Sequence, residues 1–479
     1  MADKKGKIGK PAGRKKRPAR NGRDTIAAIA TSEGVGGIGI VRLSGPRAIS
    51  IAAGIFRLNP KRNITKLPSH TLHYGLAVSG KKTVDEGLLA VMRAPHSYTR
   101  ENVVEIQAHG GMFPLQKILG AAVKKGARLA EPGEFTRRAF INGRLDLAQA
   151  EAVVDLIRAR TETAYETALG QLSGGLSERV KDLRRRLRKS LTGLEAQIDF
   201  PGESGVVPGK SFSRSLKAIL EEIRELEGSA DKGRIIREGI KAVIIGRPNV
   251  GKSSLMNALL QEKRVIVTHL PGTTRDVIEE TVNIRGIPVR IADTAGFGRS
   301  RNLIEIQGAA RARVYLEMAD LVILVLDGSQ GIKKEDREII KLAGESQKKV
   351  LAAINKSDLP AMWKPEAVKR FFPARQIVRI SAKTLLGIPA LRRKLAVLLG
   401  IKQAETKEGV LVSRLRHRLA LQRAAENLNN ALAARQKGFS GEFVAFDLWQ
   451  AVESLGTILG LNYKEDVLEE IFSEFCIGK

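Results

Sequence analysis

The residues best placed to do chemistry form one run, Gly246-Arg247-Pro248-Asn249-Val250-Gly251-Lys252-Ser253-Ser254. Gly246 and Gly251 let the backbone curl so that N–H groups, those of Val250, Gly251 and Ser254 among them, point at phosphate oxygens. Lys252 brings a point charge to the β- and γ-phosphates, and Ser253 offers a hydroxyl to Mg²⁺. Alone, the match could be a Gly-rich turn opening an ordinary helix. Three further motifs follow in order. Asp293-Thr294-Ala295-Gly296 can hold the Mg²⁺ shell through its carboxylate and meet the γ-phosphate through its glycine N–H. Asn355-Lys356-Ser357-Asp358 offers a carboxylate that accepts two N–H bonds from a guanine edge and is left unpaired by adenine. Ser381-Ala382-Lys383 completes the set, so the nucleotide expected here is GTP.

These motifs need strand ends to carry them. Apolar runs at 240–245, 289–292, 350–354 and 376–380 read as strands, and in an open parallel sheet ligands bind at the carboxyl ends. The run 255–260 reads as the helix after the phosphate loop. Between that helix and Asp293 lies a polar segment, Pro271-Gly272-Thr273-Thr274-Arg275-Asp276, suited to closing over the γ-phosphate with Thr274 reaching Mg²⁺. Phe297 follows Asp-Thr-Ala-Gly where the familiar small GTPases carry a water-orienting glutamine, so hydrolysis needs another water-positioning group and another source of positive charge.

Upstream, residues 24–140 mix strands (25–30, 38–43, 71–78, 84–92, 103–108) with helices (46–55, 114–124) and read as a compact α+β domain. From Leu145 the spacing turns helical to about 234. Ala148, Ala152, Leu156 and Ala159 line one face, and Val180, Leu183, Leu187, Leu191 and Leu194 line another. Lys181, Arg184, Arg185, Arg186, Arg188 and Lys189 sit largely opposite the second face, and a solvated face is the simpler reading of them. Helical spacing resumes at 412–435, 443–459 and 466–475. Neither helical half looks able to bury its apolar face alone, so a single helical domain interrupted by an inserted nucleotide domain is the economical architecture.

The chain has 479 residues, 43% of them hydrophobic and 28% charged, and a formal charge of +30. That excess favours a polyanionic partner. Ten Lys or Arg against Asp3 in residues 1–23, with interspersed Gly and Pro, read as a disordered basic tail, either a solubility tail or an RNA-binding arm. No apolar run approaches the roughly 20 residues of a membrane helix. One cysteine, Cys476, excludes an intrachain disulfide, and a cytoplasmic location is expected.

The motifs together resemble the MnmE/TrmE family of tRNA uridine-5-carboxymethylaminomethyl modification GTPases over about 24–479. The resemblance rests on the run at 246–254, Gly-Thr-Thr-Arg-Asp at 272–276, Pro-Gly-Glu-Phe at 132–135, Leu-Asp-Leu-Ala-Gln-Ala-Glu at 145–151 and Phe-Cys-Ile-Gly-Lys at 475–479. It implies a multidomain α/β and α+β fold. An N-terminal folate-binding-like dimerisation domain (24–140) follows the tail (1–23). A discontinuous helical domain (141–234 and 401–479) is interrupted by a Ras-like P-loop GTPase domain (235–400).

The resemblance also implies roles. GTP is held by Thr268, His269, Leu270, Pro271, Gly272, Thr273 and Thr274 as well as by the four motifs. K⁺ is held by Asn249, Thr268, Leu270 and Thr273, Mg²⁺ by Ser253 and Thr274. Glu305 activates water, although as the first residue of a helix it could equally be stabilised there by the dipole. Arg42, Glu105, Arg144 and Lys479 hold 5-formyl-tetrahydrofolate or a related one-carbon folate. Arginines can meet carboxylate or carbonyl oxygens, and Glu105 can accept pterin N–H donors. The implied partners are a second copy of the chain, tRNA and an MnmG/GidA-like flavoprotein carrying FAD. The competing reading is a GTPase switch for ribosome assembly, without modification chemistry.

Overall fold

Alternation of side chains along one strand sets the first layer. In Gly36–Ser44, Val41 and Leu43 are fully buried while Ile40 and Arg42 face the other way. The same two-residue period in Val103–Gly110 buries Val104, Ile106 and Ala108 and turns Glu105 and Gln107 away. These strands belong to a computed structural model that describes residues 24–32, 34–200, 210–261, 279–292, 316–317, 319–362, 366–369, 371–400, 410–463 and 465–479. The chain divides into two units, Met1–Arg144 with Phe472–Lys479, and Leu145–Ile471.

In the first unit, strands β1 (Ile26–Ile29), β2 (Gly36–Ser44), β3 (Phe56–Leu58), β4 (Thr71–Ser79), β5 (Lys82–Met92), β6 (Val103–Gly110) and β7 (Arg128–Leu129) form one sheet. Its order is β3-β4-β5-β6-β2-β1-β7, and only β1 and β7 run parallel. Helices Ala48–Ala53 and Met112–Lys124 cover one face, where Val41, Leu89, Ile106, Ile51 and Ile118 share a core. On the opposite face a smaller cluster of Ile26, Ala28, Ala130 and Phe135 forms under the helix Glu134–Ile141. The expected α+β character of this region is observed.

The second unit holds a sheet of β8 (Ile240–Ile245), β9 (Glu279–Ile284), β10 (Ile287–Ala292), β11 (Leu321–Asp327), β12 (Lys349–Asn355) and β13 (Ile377–Arg379). The order is β13-β12-β11-β8-β10-β9, all parallel except the β9–β10 hairpin at the edge. Central β11 is buried on both faces, which is why it reads as a continuous apolar run. Leu321, Ile323 and Val325 enter one core, and Val322, Leu324 and Leu326 enter another.

Four long helices, Gly175–Asp199, Lys210–Gly228, Leu415–Gln436 and Gly441–Leu459, share a further core. Leu183 and Leu187 from before the inserted sheet meet Leu421, Leu428, Leu448 and Leu455 from after it. Each buried Leu contributes about 1.5–3 kcal/mol, so the helices before and after the inserted sheet stabilise one shared core. The basic residues of Gly175–Asp199 are not all solvated. Arg186 pairs with Glu222 at 2.7 Å, and Arg184 Nε donates to the Val452 carbonyl at 3.3 Å.

Candidate functional site

Strand β8 ends at Ile245, and the chain turns at once into the phosphate-loop sequence. Gly246 takes φ 153° and Gly251 φ 97°, conformations that side chains rarely adopt. A Cβ on Gly251 would also strike the Asn355 carboxamide. Asn249, at φ 63°, uses the tolerance of asparagine for the left-handed region. The helix Lys252–Gln261 starts here, with Leu255 N–H donating to the Gly251 carbonyl at 2.9 Å and Leu255, Met256, Ala258 and Leu259 buried beneath. Ser253 and Ser254 are exposed in its first turn. Lys252 Nζ donates to the carbonyls of Gly246 (2.9 Å) and Arg247 (3.0 Å), so the loop curls around the ammonium. A helix N-terminus with this curl and this cation is built for phosphate, and the Ser253 hydroxyl suits a Mg²⁺ shell.

At the same edge of the sheet, β12 and β13 deliver the base-side motifs. Asn355 is buried and spends its side chain on two backbone groups. Its Nδ2 donates to the Val250 carbonyl and its Oδ1 accepts from Ala382 N–H, both at 2.9 Å. Lys356, in the left-handed region at φ 63°, reaches Asp327 Oδ2 at 2.7 Å. Asp327 also accepts from Ser329 N–H (2.9 Å) and Oγ (2.6 Å). The Asp358 carboxylate is exposed. A hydrogen bond from Ser381 holds its pKa below the usual aspartate value, helped by its own backbone N–H and by Lys383 and Lys356. It is therefore an ionised, accessible acceptor for two N–H donors.

The structure thus brings Asn249, Val250, Gly251, Lys252, Ser253, Ser254, Asn355, Lys356, Asp358, Ser381, Ala382 and Lys383 to one edge. Thr268, His269, Leu270, Pro271, Gly272, Thr273, Thr274, Asp293, Thr294, Ala295, Gly296, Phe297 and Glu305 lie outside the described residues. Asp327 was not singled out from sequence; its signal is a carboxylate closing an apolar run.

A second constellation sits on the half-covered face of the first unit. Arg42 and Glu105 are cross-strand partners in β2 and β6, with Nε to Oε1 at 2.7 Å and both side chains 17% exposed. Arg42 Nη1 also donates to the Gly478 carbonyl at 3.2 Å, and Phe135 N–H donates to the Lys479 carbonyl at 3.1 Å. The closing residues of the chain are thereby drawn to the sheet face. Burial lowers the pKa of the Lys479 ammonium, and nearby Arg42 lowers it further. The Arg42 guanidinium lies 5.6 Å from the Phe135 ring centroid and 6.0 Å from that of Tyr98, while Arg144 lies 4.6 Å from Tyr98. Tyr98, whose hydroxyl shares a 2.8 Å hydrogen bond with Thr136, links Arg144 to Arg42, and sequence reasoning did not single it out. Three cations and one carboxylate around aromatic rings suit an anionic, heteroaromatic ligand.

Residues 25–144 match the family model described as GTP-binding protein TrmE N-terminus, and residues 147–476 match the MnmE helical domain. The chain belongs to the MnmE family. It is 46% identical to the tRNA modification GTPase MnmE of Carboxydothermus hydrogenoformans over 95% of this chain and 99% of that one. MnmE proteins of Moorella thermoacetica (45%) and Desulforamulus reducens (43%) align over the same shares. Among the described residues, no helix is long and apolar enough to cross a membrane.

Proposed function

We propose that this chain is a GTP-hydrolysing enzyme of tRNA modification that acts on a wobble uridine with a one-carbon folate and an MnmG/GidA-like flavoprotein, whose FAD supplies the redox chemistry. The observation that supports the reading is the presence, in one chain, of the Lys252 loop tied to the Asn355–Asp358 segment and of the Arg42, Glu105, Arg144 and Lys479 cluster. A ribosome-assembly switch needs only the first.

In the nucleotide site, Lys252 and the loop amides orient the phosphates, and Asp358 selects the base. Ser253, with Thr274, would hold Mg²⁺, and Asn249, with Thr268, Leu270 and Thr273, would hold K⁺; the cations supply positive charge to the phosphates. Glu305 is assigned to the attacking water. The Phe297 side chain has no polar atom with which to orient it.

In the folate pocket, Glu105 is fixed by Arg42 so that its free oxygen accepts pterin N–H donors, and Arg144 and Lys479 meet the ligand's anionic groups. Homodimerisation through 24–140 is supported by the sheet face beyond the pocket, where Ile38, Leu72 and Tyr74 are exposed. The cytoplasm is the assigned compartment.

The test is GTP hydrolysis by the purified chain in K⁺ and in Na⁺, together with 5-formyl-tetrahydrofolate titration. Faster turnover in K⁺ and saturable folate binding are expected. Equal turnover in the two salts contradicts the K⁺ assignment, and absence of folate binding contradicts the modification reading.

A further inference from the structure

Arg160 belongs to the helical part of the second unit, yet its guanidinium Nη1 donates to Thr281 Oγ1 on β9. Thr281 is buried, 3% exposed, and lies opposite Arg290 of β10. The hairpin these strands form is bracketed in sequence by two nucleotide motifs. Gly272-Thr273-Thr274-Arg275-Asp276 precedes β9, and Asp293-Thr294-Ala295-Gly296 follows β10 directly. In sequence, Thr281 comes five residues after the first motif and Arg290 three before the second. The chain also crosses into the nucleotide domain against this hairpin, since a Cβ on Gly239 would strike the Pro288 carbonyl.

On its other side Arg160 follows the helix Leu147–Arg158, which carries Glu151 and Asp155. Both carboxylates hold the point where the chain returns to the helical domain. Arg414 Nη2 reaches Asp155 Oδ1 at 2.8 Å, and Arg416 Nη2 and His417 Nε2 reach Glu151 Oε2 at 2.9 Å and 2.8 Å. Gln171 Nε2 adds a bond to the Leu411 carbonyl at 2.8 Å. A path of hydrogen bonds and ion pairs, joined by the helix Leu147–Arg158, therefore runs from Thr281 through Arg160 to residues 411–417.

We propose that Arg160 is a positioning residue that couples the nucleotide-dependent state of the β9–β10 hairpin to the helical domain, through the helix Leu147–Arg158 and Arg414. The proposal rests on the GTPase reading above. It assigns a role to Glu151, the last residue of the Leu-Asp-Leu-Ala-Gln-Ala-Glu motif, that neither candidate site uses: Glu151 and Asp155 fasten the far end of the path.

The test is hydrogen–deuterium exchange of the full chain bound to GDP and to guanosine imidotriphosphate, in wild type and in Thr281→Val, Thr281→Ser and Arg160→Ala. Valine keeps the shape of threonine and removes its hydroxyl; serine keeps the hydroxyl. In wild type, peptides covering 147–158 and 410–417 are expected to exchange at least about threefold differently between the nucleotides. Thr281→Val and Arg160→Ala should lose most of that difference with GDP-state rates unchanged, and Thr281→Ser should retain it. A difference that persists in both loss variants overturns the proposal. So does faster exchange of these peptides in the variants' GDP state, which marks a merely structural contact, or a wild type with no difference. Binding of a fluorescent GDP is measured in parallel: its absence overturns the GTPase reading and the coupling together, whereas normal binding with any of the three contrary results overturns the coupling alone.

Discussion

Asn355 Nδ2 donates to the Val250 carbonyl at 2.9 Å, while its Oδ1 accepts from Ala382 N–H at the same distance. One buried carboxamide therefore ties the phosphate loop to the base-side loop. Asn355→Ala strands a carbonyl and an N–H, each at a cost of about 1–3 kcal/mol. Calorimetry should show a lower transition temperature for the nucleotide domain, and GTP affinity should fall at least tenfold. An unchanged affinity means the two loops hold their spacing without Asn355.

Asp358 offers its carboxylate to solvent beside Ser381 and Lys383. Asp358→Asn replaces one acceptor oxygen by a donor, so the preference for GTP over ATP should shrink at least tenfold in competition binding. If GTP still outcompetes ATP as in wild type, the base is read elsewhere.

The Arg42–Glu105 pair bridges adjacent strands at 2.7 Å. Arg42→Ala removes a cation from the pocket and frees Glu105 to turn, so 5-formyl-tetrahydrofolate binding should weaken by roughly tenfold or more, about 1.4 kcal/mol or above. Isothermal titration of the full chain measures it. Lys479→Ala should weaken binding in the same direction. Full-strength binding by both variants contradicts the placement of the ligand.

His417 is wholly buried, and burial lowers its pKa from 6.5 even though Glu151 opposes the shift; Arg414 and Arg416 already balance that carboxylate. Glu151 is held ionised below the usual glutamate range by its hydrogen bond with His417 and by the Arg416 and Arg414 guanidiniums, which outweigh the effect of its burial. The signs agree. Below pH 6.5 the unfolded chain takes up a proton at His417 that the folded chain refuses, and below 4.5 the same holds at Glu151. Stability of the helical domain should therefore fall as pH drops from 7.5 to 5.5, and again below 4.5. His417→Gln should flatten the first decline in calorimetric scans; parallel curves for variant and wild type contradict a neutral His417.

What sequence disclosed, it disclosed locally. The apolar run 240–245 and the glycines after it define strand, turn and helix without distant help, and β8 has the predicted bounds. The leucine spacing of Gly175–Asp199 likewise defines its buried face. Individual side-chain partners across long separations are not legible there. Asp327 ends β11, a strand with no motif attached and no periodicity because both faces are buried. Two- and three-residue strands such as β7 and β3 are too short for any period. Tyr98 gains meaning only once Arg42 of β2 and Thr136 of the Glu134–Ile141 helix converge on it. Glu151 is one letter of a motif until Arg416, 265 residues later, reaches it.

The central claim is that both sites of this chain serve one tRNA modification. It is tested most directly by mass spectrometry of tRNA nucleosides from cells lacking the protein, complemented with wild type, Lys252→Ala or Arg42→Ala. The account predicts that wild type restores the carboxymethylaminomethyl group on wobble uridine and that neither variant does. Wobble uridine that keeps its carboxymethylaminomethyl group in cells lacking the protein, or full restoration by both variants, would contradict it.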